Sequence, residues 1–324
     1  MTETVSLYPW LQLPWQHLMQ MQQQQRLPHA QLIAGQQGTG KRDLAERLAK
    51  TLLCRTPSAQ GPCNHCDACH LFAAGTHPDY FYLEPEERNK TIKVDDIREL
   101  NRSLALTSQY GGYKVAVIAM ADNMNVNAAN SLLKTLEEPV KDTLMILVSD
   151  RPFALPATIR SRCQVIAFPL PEKNVATEWL EGQQVAAPEQ LLQLANGAPL
   201  LALQLAQEEL MSLRSDFVKA MNASRMSVTR TAEAFSRAPA ELLLHWFYDW
   251  VCDCINLRMA SGQRIINQDQ HNQLQKIASQ IQPTGLYALL DKVLYYIRLK
   301  RHPLNQQMLW EDLLINWQEA RNSA

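Results

Sequence analysis

The stretch Gly35-Gln36-Gln37-Gly38-Thr39-Gly40-Lys41-Arg42 constrains this chain more than any other. It follows a short apolar run, Gln31-Leu32-Ile33-Ala34, and precedes leucines at helical spacing, Leu44, Leu48 and Leu52. Strand, glycine-rich turn and lysine-headed helix together make the pattern G-x-x-x-x-G-K. Glycines let the backbone curl until its N–H groups surround phosphate oxygens, and a helix N-terminus adds a favourable field for anions. The pattern predicts an α/β P-loop fold, with Gly35, Gly38, Gly40 and Lys41 as candidate nucleotide-binding residues.

The rest of the first half agrees with that fold. Asp79–Leu83, Val115–Ile118, Leu144–Val148 and Gln164–Phe168 are strand-like runs separated by helical patterns. Val94, Ile97, Leu100 and Leu104 mark one helix, and 126–138 another, stopped by Pro139. Alternation of this kind implies right-handed crossovers and a mainly parallel sheet. At Pro169-Leu170-Pro171 the character changes, and beyond it the pattern is helical throughout. Leu243, Phe247, Trp250, Val251 and Cys254 share one face, and Leu286, Leu289, Leu290, Val293, Leu294 and Ile297 form a second stripe.

Two chemical parts of a working phosphate loop are absent. The position that carries a magnesium-binding hydroxyl holds Arg42. The acidic pair expected after the strand Val115–Ile118 is replaced by Ala119 and Met120. Asp122 stands further on and reads as a capping or loop aspartate. Without cation ligands or a base for water, hydrolysis by this chain is expected to be negligible. Retention of Lys41 leaves open whether ATP or another nucleotide binds.

Cys54, Cys63, Cys66 and Cys69 form a C-x8-C-x2-C-x2-C arrangement. Thiolates at this spacing can converge on one ion and satisfy the tetrahedral preference of zinc, giving a closed structural site. The alternative is a small core of packed cysteines. His65 and His70 could replace a thiolate but are expected to be exposed, and Cys252 and Cys254 buried in an apolar helix. The formal net charge of −1 is not that of a protein gripping nucleic acid alone, so DNA contact is expected to be shared. There is no run of about 18 apolar residues and no signal-like N-terminus. A cytoplasmic protein without a membrane partner is expected.

Further motifs carry a resemblance. They are Asn130-Ser131-Leu132-Leu133-Lys134-Thr135-Leu136-Glu137-Glu138-Pro139, Ser161-Arg162-Cys163, Gly75-Thr76-His77-Pro78-Asp79 and Tyr8-Pro9-Trp10-Leu11. With the cysteine insert after the P-loop helix, they resemble the delta prime branch of the bacterial DNA polymerase III clamp-loader subunits, of the AAA+ superfamily. The resemblance spans residues 8 to about 205 and rests on helical character alone beyond that. It implies an AAA+-like P-loop domain at 1–168 with a zinc module at 54–69, a helical lid at 169–207, and an all-α collar at 208–324.

The resemblance also implies that Arg162 acts in trans as an arginine finger on a neighbouring ATP site, with Arg160 a weaker candidate. Ser149 falls at the family's first sensor and Leu200 where it has a second-sensor arginine. The implied partners are the gamma/tau ATPase and delta subunits, the beta sliding clamp, and primed DNA through the assembled complex. No ATPase or polymerase activity of its own is expected, despite membership of the polymerase III holoenzyme. The rival readings are a working gamma/tau-type ATPase, a zinc module binding DNA alone, and a P-loop kinase. Mg²⁺-dependent hydrolysis by the isolated chain separates the first.

Overall fold

The computed structural model describes residues 7–87, 90–259, 265–299 and 305–322. They fall into two compact units, one of residues up to 188 with 197–201, the other of 189–196 with 202 onward.

The first unit is built on five parallel strands: β1 Ala30–Gly35, β2 Tyr80–Leu83, β3 Lys114–Ile118, β4 Thr143–Ser149 and β5 Gln164–Phe168. Their order across the sheet is β2-β3-β4-β1-β5. Every residue of β3 and β4 is buried, which is why both read as unbroken apolar runs. Helices α1 Gln12–Gln23, α2 Lys41–Leu53, α3 Asp67–Ala73, α4 Val94–Ala105, α5 Val126–Glu137, α6 Ala157–Arg160 and α7 Lys173–Gly182 accompany the sheet.

Strand alternation separates two cores. Ile33, Val115, Val117, Ile146 and Val148 pack with Trp15, Leu18, Leu44 and Leu48 of α1 and α2. Leu32, Ala34, Ala116, Ile118 and Leu147 pack with Ile97, Leu100, Leu104, Leu132 and Leu136 of α4 and α5. Successive strand residues point to opposite faces, so each strand feeds both cores. Helix α1 carries no strong sequence signal, because glutamines dilute it, yet Trp15, Leu18 and Met19 are buried at helical spacing. The Thr76–Asp79 motif proves structural: the Asp79 carboxylate accepts hydrogen bonds from Ser108 Oγ and from the Gln109 and Tyr110 N–H groups, each at 2.9 Å. The change of character at Pro169–Pro171 is real, but the first unit continues to residue 188.

The second unit is helical. Its elements are α8 Pro188–Leu194 and α9 Pro199–Leu205, each shared in part with the first unit, then α10 Glu208–Asn222, α11 Val228–Ser236, α12 Ala240–Arg258, α13 His271–Gln280, α14 Pro283–Leu299 and α15 Gln306–Asn322. Phe217, Phe247, Trp250, Trp310 and Trp317 fill its centre. The expected face Leu243, Phe247, Trp250, Val251 and Cys254 is buried throughout. On α14 only Leu286, Leu289 and Val293 are buried, whereas Leu290, Leu294 and Ile297 are half-buried. Cys252 is likewise half-buried, because it lies beside the apolar face rather than on it.

Two buried polar clusters of this unit are paired. The Asp253 carboxylate accepts from the Ile266 and Asn267 N–H groups at 2.9 and 2.8 Å and from Asn267 Nδ2 at 2.8 Å. Arg214 holds Asp269 through two hydrogen bonds of 2.9 Å. Among the described residues, no helix is long and apolar enough to cross a membrane.

Candidate functional site

In a parallel sheet, ligands sit beyond the carboxyl ends of the strands, where the strand order reverses. Strand β1 lies between β4 and β5, and the chain leaves it toward β2, so its carboxyl end opens at such a point. Gly35 ends β1 and Gly40 caps α2 in the left-handed region, with φ of 84°. A Cβ at Gly35 would lie 2.4 Å from the Phe168 carbonyl oxygen, so the close approach of β5 requires glycine there. The four predicted loop residues therefore stand together at the expected place.

The loop is closed on itself. Lys41, with a side chain 3% exposed, places Nζ 2.8 Å from Asp150 Oδ1 and donates to the Gln36 carbonyl at 2.6 Å. Thr39 Oγ1 donates to that same carbonyl at 2.9 Å. Asp150 follows directly on β4, so sheet order brings the pair together, a juxtaposition that sequence spacing does not reveal. Leu200 reaches the loop through its backbone, its N–H donating to the Gly38 carbonyl at 3.0 Å.

Aromatic side chains cover the glycines. Tyr8 stacks on Trp10 at 5.2 Å with planes 7° apart, and Trp179 meets both edge-on at 5.5 and 5.2 Å. Trp10 Nε1 donates to the Thr39 carbonyl at 2.9 Å. The Tyr8 ring lies where a Cβ on Gly40 would meet it at 2.7 Å. Burial, reinforced by the charge of Asp43 and the hydrogen bond to it, pushes the Tyr8 hydroxyl up to about 12. The N-terminal aromatic motif thus has a local job that its sequence does not disclose.

A cavity of about 380 Å³ opens between the loop and the ends of β3 and β4. Its lining carries five carboxylates, Asp43, Glu84, Glu86, Glu87 and Asp150, against two cations, Lys41 and Arg42. Both cations are already engaged. Arg42 donates to Glu46 at 2.9 Å and Glu84 at 3.0 Å and lies over the Tyr82 ring. Burial works against its charge, but the Glu46 hydrogen bond and the charges of Tyr82, Glu46 and Glu84 hold its pKa above the ordinary value. An incoming polyphosphate meets a surplus of negative charge here.

Ala119 and Met120 stand at the end of β3, in the cavity wall. Met120 adopts the left-handed region with φ of 50°, uncommon for a residue with a Cβ. Asp122 does not cap a helix: it is buried, and accepts hydrogen bonds from Ser149 Oγ at 2.9 Å and Arg151 Nε at 3.0 Å. Of the capping and loop readings the loop one holds, with the buried Ser149 hydroxyl and the partly exposed Arg151 guanidinium from the end of β4 on the carboxylate. Ser149, at the family's first-sensor position, is here a partner of the Asp122 carboxylate.

Arg162 lies one residue past the short α6 segment's cap. Its guanidinium donates to the Thr158 carbonyl at 3.0 Å and meets Glu137 Oε1 at 2.5 Å, with the side chain 35% exposed. Arg160 lies over the Phe153 ring at 5.3 Å. The two arginines and Lys41 are therefore parts of separate arrangements.

The four cysteines converge. Their Sγ atoms all lie within 4.8 Å of one another, with Cys54–Cys66 at 3.9 Å and Cys63–Cys69 at 4.0 Å. Zinc–sulfur bonds of about 2.3 Å put tetrahedral sulfurs about 3.8 Å apart, so the cluster fits a four-coordinate ion. Burial pushes the Cys54 and Cys69 thiols up, whereas hydrogen bonds, that of Thr56 foremost, bring Cys63 down to about 5, so the buried thiols would need a cation to ionise. The Cys63 N–H donates to Cys54 Sγ at 3.3 Å, an outer contact that steadies a thiolate. Trp15 Nε1 and Arg47 grip the adjoining loop at the Ala59 and Gln60 carbonyls, at 3.0 and 2.6 Å. His65 and His70 are exposed and stand outside the cluster. The thirteen residues of α2 separate the cluster from the phosphate loop by about 20 Å.

Comparison with known proteins agrees with this architecture. Two family models cover the chain: "DNA polymerase III, delta subunit" over residues 11–172, and its C-terminal counterpart over 188–319. The chain is 39% identical to a protein named DNA polymerase III subunit delta' from Pseudomonas aeruginosa, over 96% of this chain and 97% of that one. It is 33% identical to its Escherichia coli K12 namesake, over 95% and 94%. Such identity along both units, with the phosphate loop and the cysteine cluster where a nucleotide-type fold puts them, places the chain in the family of bacterial DNA polymerase III delta prime subunits.

Proposed function

We propose that this chain is a clamp-loader subunit that has lost hydrolysis at its own phosphate loop and serves an adjacent ATPase subunit through Arg162. The observation that carries the reading is the fate of the charges at the loop. Lys41 is neutralised by Asp150, Arg42 by Glu46 and Glu84, and no carboxylate occupies Ala119 or Met120. Nucleotide occupancy at Gly35, Gly38, Gly40 and Lys41 is correspondingly disfavoured. Arg162, by contrast, is partly exposed, and its ion pair is with a surface carboxylate, Glu137, which is 49% exposed.

A guanidinium inserted beside a transferring phosphoryl group stabilises the charge that spreads over its oxygens. Glu137 holds Arg162 until a stronger anion competes for it. Zinc is the ion we assign to Cys54, Cys63, Cys66 and Cys69, as a structural centre. The gamma/tau ATPase and delta subunits, the beta clamp and primed DNA are the partners this reading implies, in the cytoplasm. Residues 1–168, 169–207 and 208–324 act in it as P-loop domain, lid and collar.

The test is a clamp loader reconstituted with the Arg162→Ala chain. DNA-stimulated turnover at the adjacent site should fall by about 10³-fold or more, the range for loss of an arginine finger. Unchanged turnover would remove the role in trans.

A further inference from the structure

Residues 152–168 read Pro-Phe-Ala-Leu-Pro-Ala-Thr-Ile-Arg-Ser-Arg-Cys-Gln-Val-Ile-Ala-Phe, and only Arg160 and Arg162 among them are charged. The chain as a whole is 19% charged, yet this segment is largely at the surface. Phe153 is 86% exposed and Val165 51%, and Ala154, Ala157, Thr158, Ser161 and Ala167 are exposed beside them. A surface with neither lysine nor acid, bearing one large aromatic and two arginines among small residues, has the composition of an interface core.

The segment is also firmly mounted. Leu155, Ile159 and Cys163 are buried in the core beneath it. Arg160 stacks on Phe153 at 5.3 Å, and its Nε has no hydrogen-bond partner. The pairing sets a guanidinium against the outward-facing ring. Strand β5 then ends the sheet with an uncovered edge that continues the same surface.

We propose that Phe153 is the aromatic anchor of the face that delivers Arg162, seating in an apolar recess beside the anionic, nucleotide-bearing site of an adjacent ATPase subunit. This rests on the reading that Arg162 acts in trans. Charge selects the partner. A second copy would set arginines against arginines, and Glu137, the acid at the margin, is already held by Arg162. A neighbour presenting phosphate complements both guanidinium groups. Phe153 supplies desolvated contact area, and Arg162 the catalytic charge.

The experiment separates those roles. Purified Phe153→Ala and Arg162→Ala chains are titrated with the ATPase subunit, and turnover is measured at saturation in the reconstituted complex. Phe153→Ala should weaken association by about tenfold or more and leave turnover at saturation unchanged. Arg162→Ala should lower turnover at saturation, whatever its effect on association. The thermal midpoint of Phe153→Ala should not move, since the ring is exposed; if it does, Phe153→Leu, which keeps apolar bulk, is used and should weaken association less. Unaltered affinity for the ATPase subunit overturns the anchor. So does a loss confined to binding of primed DNA by the assembled complex, or to self-association of the chain. Should Phe153→Ala weaken association while Arg162→Ala leaves turnover intact, the in-trans reading fails and the anchor stands.

Discussion

Lys41 and Asp150 lock together at the carboxyl ends of neighbouring strands, Nζ to Oδ1 at 2.8 Å, and the lysine is spent on its own chain. Removing Asp150 leaves a buried ammonium with the Gln36 carbonyl as its remaining acceptor. Breaking a fully buried pair costs roughly 3–5 kcal/mol. Asp150 is 30% exposed, so Asp150→Ala should cost less, about 2 kcal/mol. Urea denaturation followed by tryptophan fluorescence measures it, and a neutral result would show that the pair contributes nothing.

Gly40 should resist replacement on backbone and packing grounds alone. A left-handed residue with a Cβ costs about 1–2 kcal/mol, and the Tyr8 ring sits 2.7 Å from where that Cβ would lie. Gly40→Ala is expected to lower stability by more than the backbone cost alone. Combining it with Tyr8→Ala should recover part of the loss, because the collision goes while the backbone strain stays. Additivity of the two substitutions would contradict the contact.

Much of this was legible in the residues. The loop, the five strands and the cysteine quartet each depend on local spacing or an unbroken apolar run, and each appears where expected. What was not legible depends on elements meeting across the sheet. Asp150 and Arg151 follow β4 without any motif, yet strand order puts one on Lys41 and the other on Asp122. Trp179 reaches Tyr8 from α7, far along the chain. Helix α1 escaped notice because its apolar face is only Trp15, Leu18 and Met19 among glutamines.

The cysteine cluster predicts one zinc per chain by elemental analysis. Cys63→Ser with Cys66→Ser should abolish it and lower the thermal midpoint. Amide exchange should accelerate across the cysteine loop and α3, while β1 and β4 stay protected. Metal-free protein that is equally stable and equally protected would leave the quartet as packed thiols.

Asp249, buried one helical turn from Asp253, gives the helical unit one pH-sensitive carboxyl. Burial first, then the Asp253 charge, raises it to about 7 against a hydrogen bond from Asn196. An acid whose folded pKa lies above its unfolded value holds its proton more tightly in the fold. Stability is therefore greatest at low pH in this respect, and is lost as pH rises from about 4 to 7. A shift of this size corresponds to at most about 4 kcal/mol. Asp249→Asn should match the parent near pH 4 and exceed it at pH 8, by chemical denaturation. A parallel pH dependence in both proteins would contradict the assignment.

The most direct measurement is single-turnover hydrolysis of radiolabelled ATP with magnesium by the purified chain alone, free of partner subunits. A loop whose two cations are both paired with carboxylates of its own chain, beside a strand that ends in Ala119-Met120, should release phosphate no faster than buffer. Magnesium-dependent conversion to ADP by this polypeptide, abolished by Lys41→Ala, would mean that its own site is catalytic and that Arg162 need not be its contribution.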